Sequence, residues 1–184
     1  DLLQYLAVSN IDKPIGKIIY TQFLNSRGGI EADLTISRTG EEEFYIVTGS
    51  AFGVHDRSWI EKHSPHESSV VIDDLTEEFG VINLCGPHAR DVLQNVTDDD
   101  ISNETLPFSS YADIRVVCHH VRAMRIGYVG ELGWEMHMGR ENMPAVYKAL
   151  AEAGSQYDIA DVGYRAIDSL SLIHISEPTR QAEI

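Results

Sequence analysis

Cysteine is scarce: Cys85 and Cys118 are the only two in 184 residues. Two thiols make no disulfide framework and their spacing has no CxxC metal logic, so a reducing compartment is favoured. Positive charge is also short. Fourteen Lys plus Arg face 29 Asp plus Glu, a formal charge of −15, and that field repels phosphate backbones and anionic lipid surfaces. Neither nucleic acid nor a membrane is an expected partner. The longest apolar runs, Gly80 to Cys85 and Ile114 to Cys118, fall far short of the roughly 20 residues a membrane span needs. The start, Asp1-Leu2-Leu3-Gln4, has no basic n-region, apolar h-region or cleavage site and no initiator Met, which reads as a piece of something longer.

Several chemical signatures are missing as well. Without GxGxxG or a Walker A sequence, nothing predicts flavin, nicotinamide or nucleotide-phosphate binding by those loops, and no GxSxG elbow supports nucleophilic catalysis. Cys118-His119-His120 and His63-Ser64-Pro65-His66 have ligand residue types, but no second cluster stands at zinc spacing. Adjacent histidines in a strand point to opposite faces, so these read as surface or turn histidines and no metal is expected. Asp98-Asp99-Asp100 lacks the Gly and closing Glu of a calcium loop and reads as solvated.

What is present is globular: 43% hydrophobic and 23% charged residues suffice to bury a core. Lys17 to Asn25 is a strand apolar on both sides, with both faces expected to pack. Ser26-Arg27-Gly28-Gly29 turns it into Ile30 to Ser37, where Ile30, Ala32, Leu34 and Ile36 alternate with Glu31, Asp33, Thr35 and Ser37. Phe44 to Thr48 makes a third strand, and Ser50 caps a helix to about His63 that presents Phe52, Trp59 and Ile60. Val70 to Ile72 and Gly80 to Cys85 are short buried-strand candidates, and Gly86-Pro87 opens a helix with Ala89, Val92, Leu93 and Val96 on one side. Ile114 to Cys118 and Val121 to Met138 read as strands, the latter folded back at Gly130 to Gly133. Helices follow over Asn142 to Ala153, with Gly154 as C-cap, and over Ile159 to Leu170. Hairpins mixed with helices define an α+β class with mostly antiparallel sheets.

Two places carry chemistry. Asp33 lies on the polar face of its strand, two residues from Glu31 and 13 after Tyr20, so a carboxylate and a phenol line one sheet surface; a solvated face is the plainer reading. In Ile126 to Glu135, pairing Tyr128 with Trp134 sets Ile126 against Met136 and Met124 against Met138, and leaves Glu135 opposite Gly127. That glycine marks either close approach of a ligand or a bend.

The run Tyr20-Thr21-Gln22-Phe23-Leu24-Asn25-Ser26-Arg27-Gly28-Gly29-Ile30-Glu31-Ala32-Asp33-Leu34-Thr35 resembles the folate-binding half of dimethylglycine and sarcosine dehydrogenases, relatives of the aminomethyltransferase (T-protein) of glycine cleavage. So do Gly80-Val81 with Cys85-Gly86-Pro87-His88-Ala89-Arg90, and Tyr128 to Glu135. The likeness covers about residues 1 to 170. It implies two interleaved lobes, with 18–98 inserted into a discontinuous lobe of 1–17 and 99–170, and no C-terminal β-domain. It also implies tetrahydrofolate as cofactor and capture of a one-carbon unit as methylenetetrahydrofolate. Asp33 resembles the family's essential carboxylate, Tyr20 an aromatic bordering the same pocket, Glu135 the residue that hydrogen-bonds the pterin, and Tyr128 a lining residue. The simple hairpin register puts Tyr128 and Glu135 on opposite faces, so a twist or bulge is needed for both to touch one ligand.

Departures from the family pattern are informative. Aminomethyltransferases resemble this chain near Asp168-Ser169-Leu170 but carry Arg where it has Ile167 and Ser171, so an anionic folate tail loses partners; Arg165 is the available substitute. Ile167 points to the dehydrogenase-linked branch. There, FAD belongs to an upstream amine-oxidising portion, and the compartment is bacterial cytoplasm or mitochondrial matrix. The alternatives are a T-protein-type aminomethyltransferase and a non-catalytic module like the regulatory subunit of pyruvate dehydrogenase phosphatase. Residues 171–184, Ser171-Leu172-Ile173-His174-Ile175-Ser176-Glu177-Pro178-Thr179-Arg180 onward, resemble a translated sequencing adapter and are expected to lie outside the fold.

Overall fold

The computed structural model describes residues 1–65 and 69–171; His66 and the expected tail beyond Ser171 lie outside them. Antiparallel sheets with flanking helices define the α+β architecture. Contacts divide the chain into two units: Asp1–Asp74 with Ser109–Tyr111, and Leu75–Phe108 with the described residues from Ala112 to Ser171. This division differs from the expected one, because residues before 18 bond to the strand that follows them and residues 79–85 pair with 133–139.

The first unit contains α1 (Leu2–Leu6), β1 (Ile18–Leu24), β2 (Ile30–Arg38), β3 (Phe44–Thr48) and α2 (Gly53–His63). Its sheet has the order β1-β2-β3. Alternation does what period-two patterning requires: Phe23, Ala32, Leu34 and Ile36 enter a core with Leu6, Ile11 and Ile60, while Tyr20, Gln22 and Asp33 stay on the other face. The expectation that both faces of β1 pack holds only at Ile18 on this second face, since Tyr20 is 63% exposed. The β1–β2 turn is built on Asn25, whose Oδ1 accepts from the amides of Arg27 and Gly29 at 3.0 and 2.9 Å, with Gly28 at φ +78°, where a Cβ would be strained. A register shift between Phe23 and Leu24 turns Ile30 out of the apolar face it was expected to share, leaving it 67% exposed. The outer edge of β1 is covered at both ends. Val8 N donates to Gln22 O at 3.0 Å, and Ile18 N donates to Ser109 O and Tyr111 N to Gly16 O, each at 2.9 Å.

Helix α2 starts two residues later than expected, with Phe52 rather than Ser50 at its cap and no side-chain capping bond. Phe52 consequently stays outside the core, 62% exposed. Residues 70–72 form no strand; three apolar residues without a neighbouring strand have no ladder to join.

The second unit contains β4 (Phe79–Cys85), α3 (Ala89–Gln94), β5 (Tyr111–Val116), β6 (His119–Met124), β7 (Gly133–Gly139), α4 (Met143–Gly154) and α5 (Tyr164–Ser171). Sheet order is β4-β7-β6-β5. Trp134, Met136 and Met138 point into a core with Leu93 of α3 and Val146 and Leu150 of α4. The expected β6–β7 register is wrong. Met124 stands opposite Glu135, not Met138, and Trp134 pairs with Leu84 rather than Tyr128. The cause is β4: its seven-pair ladder fixes the start of β7 at Gly133, where a Cβ would clash with the Leu84 carbonyl oxygen. Residues 125–132 are thereby left as a loop. Near the C-terminus the expected helix from Ile159 begins only at Tyr164, because Asp158 turns the chain at φ +55° and Ile159 docks against Gly154.

Candidate functional site

In the first unit, hairpin register assembles the constellation around Asp33. Gln22 is its direct cross-strand partner and Tyr20 lies two residues back on the same face. The Tyr20 hydroxyl donates to Asp33 Oδ2 at 2.8 Å and Gln22 Nε2 donates to Oδ1 at 3.0 Å. Both carboxylate oxygens are thus oriented by neutral donors and keep lone pairs for a further N–H. Gln22 is a site residue that sequence reading missed; working the hairpin pairing out to its end would have found it. Beside this group, Glu31 accepts from Asn25 Nδ2 at 2.7 Å and lies 3.6 Å from His55 Nε2. His55 Nδ1 is in turn 2.9 Å from Oδ1 of buried Asp56, whose other oxygen accepts from the Thr48 hydroxyl.

The second unit holds a cleft lined by Asn83, Cys85, Tyr128, Glu131, Glu135 and Ile167. Tyr128 and Glu135, expected on opposite faces of one hairpin, border this cleft together, because Tyr128 sits in the loop rather than on a strand. Tyr128 is 62% exposed, an aromatic face open to a planar ligand. Glu135 is held on β7 between Asn83 and Met124, and His137 Nε2 lies 3.6 Å from its Oε2. Burial first, and the charge of Glu131 second, push the Cys85 thiol above its ordinary pKa. The start of β7 is braced from its core side: the Arg90 and Arg125 guanidinium groups lie 5.3 and 5.5 Å from the Trp134 ring centre, and Asn103 Oδ1 accepts from both at 2.8 and 2.7 Å. Burial, then the Arg90 charge, lower the Arg125 pKa.

Two of the histidines that drew attention in the sequence, His63 and His120, have local partners. His63 Nδ1 lies 2.8 Å from the Trp59 carbonyl oxygen and His120 Nε2 3.2 Å from Arg115 Nη2. Among the described residues no three His, Cys, Asp or Glu side chains come together to hold a metal ion, and no helix is long and apolar enough to cross a membrane.

This arrangement of antiparallel sheets with flanking helices has a solved counterpart. The glycine cleavage system aminomethyltransferase T from Bartonella henselae superposes with a TM-score of 0.73 over 93% of this chain and 44% of its own, at 24% identity. That likeness defines the fold. The chain belongs to the GCVT N-terminal domain family, whose match runs over residues 1–173. It is 38% identical over 182 residues to mitochondrial sarcosine dehydrogenase of Mus musculus, covering 91% of this chain. It is 37% identical over 172 residues to mitochondrial dimethylglycine dehydrogenase of Homo sapiens, covering 93%. The chain spans 20% of the length of each of these relatives.

Proposed function

We propose that this chain binds tetrahydrofolate and serves the transfer of a one-carbon unit, released when an N-methyl amine of the sarcosine or dimethylglycine type is oxidised by a flavin-dependent portion of the same protein. The observation that carries the reading is Asp33, fixed through both oxygens by Tyr20 and Gln22 yet exposed on its sheet face, in a chain of the GCVT N-terminal family. The residues present suit a folate. The pterin's amino group and adjacent ring N–H form a two-donor edge that matches the two oxygens of Glu135, and Tyr128 offers a ring to its face. When bound, tetrahydrofolate supplies a nucleophilic nitrogen that takes up an electrophilic one-carbon unit as methylenetetrahydrofolate.

Each protein group then has a definable task. Asp33 orients the reacting N–H and accepts its proton at a carboxylate oxygen, a role generally worth about 10²–10⁴-fold. Tyr20 and Gln22 keep that oxygen aimed, and Glu135 sets the ring's register. Ile167, which lines the cleft where aminomethyltransferases are expected to carry Arg, favours the dehydrogenase-linked branch over the T-protein branch. Titrating the chain with tetrahydrofolate while following tryptophan fluorescence tests binding directly, because Trp134 borders the cleft. Saturable quenching is expected; an unchanged signal together with no heat in calorimetry refutes the proposal.

A further inference from the structure

We infer that His137 is a positioning residue that holds the Glu135 carboxylate in the orientation a folate ring requires. The inference rests on the folate reading above and extends it to a residue that does not itself touch the ligand. Positions 135 and 137 project from the same face of β7. His137 is 2% exposed, with its Nε2 3.6 Å from Glu135 Oε2. At that distance the two groups are within ion-pair range though longer than a hydrogen bond, so a small turn of the carboxylate brings Oε2 onto Nε2.

The surroundings leave the histidine little freedom to turn away. β7 is an inner strand, and its ladders set Val81 of β4 and Arg122 of β6 directly opposite His137. Val81 is apolar. Arg122 is held in a two-pronged pair with Asp113 of β5, at 2.8 and 3.1 Å. Glu135 has no such enclosure, because it borders the open cleft. A glutamate there has three rotatable bonds to order before it can offer both oxygens to a donor edge. A fixed imidazole nitrogen behind one oxygen removes part of that search.

The test separates geometry from bulk. Gln places its amide nitrogen near the position of histidine Nε2, whereas Asn stops near Nδ1 and cannot reach Glu135. With the full chain and tetrahydrofolate titrated calorimetrically, His137→Asn should weaken Kd by about tenfold, a coupling usual for residues in contact, and His137→Gln should stay within about threefold of wild type. In a Glu135→Gln background the Asn substitution should change Kd by less than about twofold, since the carboxylate to be positioned is gone. Equal effects of Asn and Gln, or the same loss with and without Glu135, overturn the inference while leaving folate binding standing. Wild-type chain that binds no folate overturns both. Melting temperatures measured on every variant exclude unfolding as the source of a lost signal.

Discussion

Asp33 is oriented without a cation: both hydrogen bonds that fix it come from uncharged side chains. Asp33→Asn is therefore expected to keep the fold, because the Gln22 amide can flip and the Tyr20 hydroxyl can rotate to meet an amide. It should still lower one-carbon transfer by about 10²–10⁴-fold in a protein joining this chain to its amine-oxidising portion. The assay is methylenetetrahydrofolate formed against formaldehyde released during sarcosine oxidation; undiminished capture without added formaldehyde would remove Asp33 from the proposed mechanism. Glu135→Gln should instead raise the folate Kd more than it lowers turnover, because one acceptor becomes a donor facing donors. A third residue reports on the cleft's electrostatics. Since burial and Glu131 raise the Cys85 pKa, less thiolate is present at neutral pH, and Glu131→Gln should shift its alkylation profile toward lower pH. In a Cys118→Ser background the iodoacetamide rate at pH 7 to 8 then rises; an unchanged profile would mean that the carboxylate charge is not felt at the sulfur.

At the scale of elements, Gly133 is where β7 is made to fit. A methyl there meets the Leu84 carbonyl oxygen and the Cys85 Cα, both backbone atoms, so Gly133→Ala should cost about 1–3 kcal/mol in denaturant unfolding. Sequence reading located the first hairpin well because Asn25 to Gly29 and the alternation of Ala32, Leu34 and Ile36 are local signals. It misplaced the β6–β7 register for the opposite reason. An alternation of Met124, Ile126, Met136 and Met138 permits several pairings, and the one adopted is chosen by β4, some fifty residues away, through a contact at Gly133 that leaves no local mark. The site shows the same split. Tyr20 and Asp33 meet through one hairpin and were legible as a pair. Tyr128 and Glu135 share a cleft only because the loop between β6 and β7 is longer than any tight turn, and His137 gained meaning only once β7 was seen between two neighbours.

For the molecule as a whole, a charge of −15 opposes the approach of an anionic ligand, and the folate tail carries carboxylates. Association should accordingly speed up as ionic strength rises toward the physiological range, where screening acts over about 8–10 Å. Stopped-flow tryptophan fluorescence at several salt concentrations reads this; a rate that falls with salt would point to local cations outweighing the net field. The covering of β1's outer edge reaches further. One piece, at Val8, precedes the strand, while the other, Ser109–Tyr111, comes from far along the chain. A polypeptide leaving the ribosome amino end first therefore carries the Lys17–Ile18 end of that strand bare until Ser109–Tyr111 has been made, roughly ninety residues later. Pauses in translation before residue 111 has emerged would lengthen the interval in which a nascent chain can be captured by a chaperone or by another copy of itself.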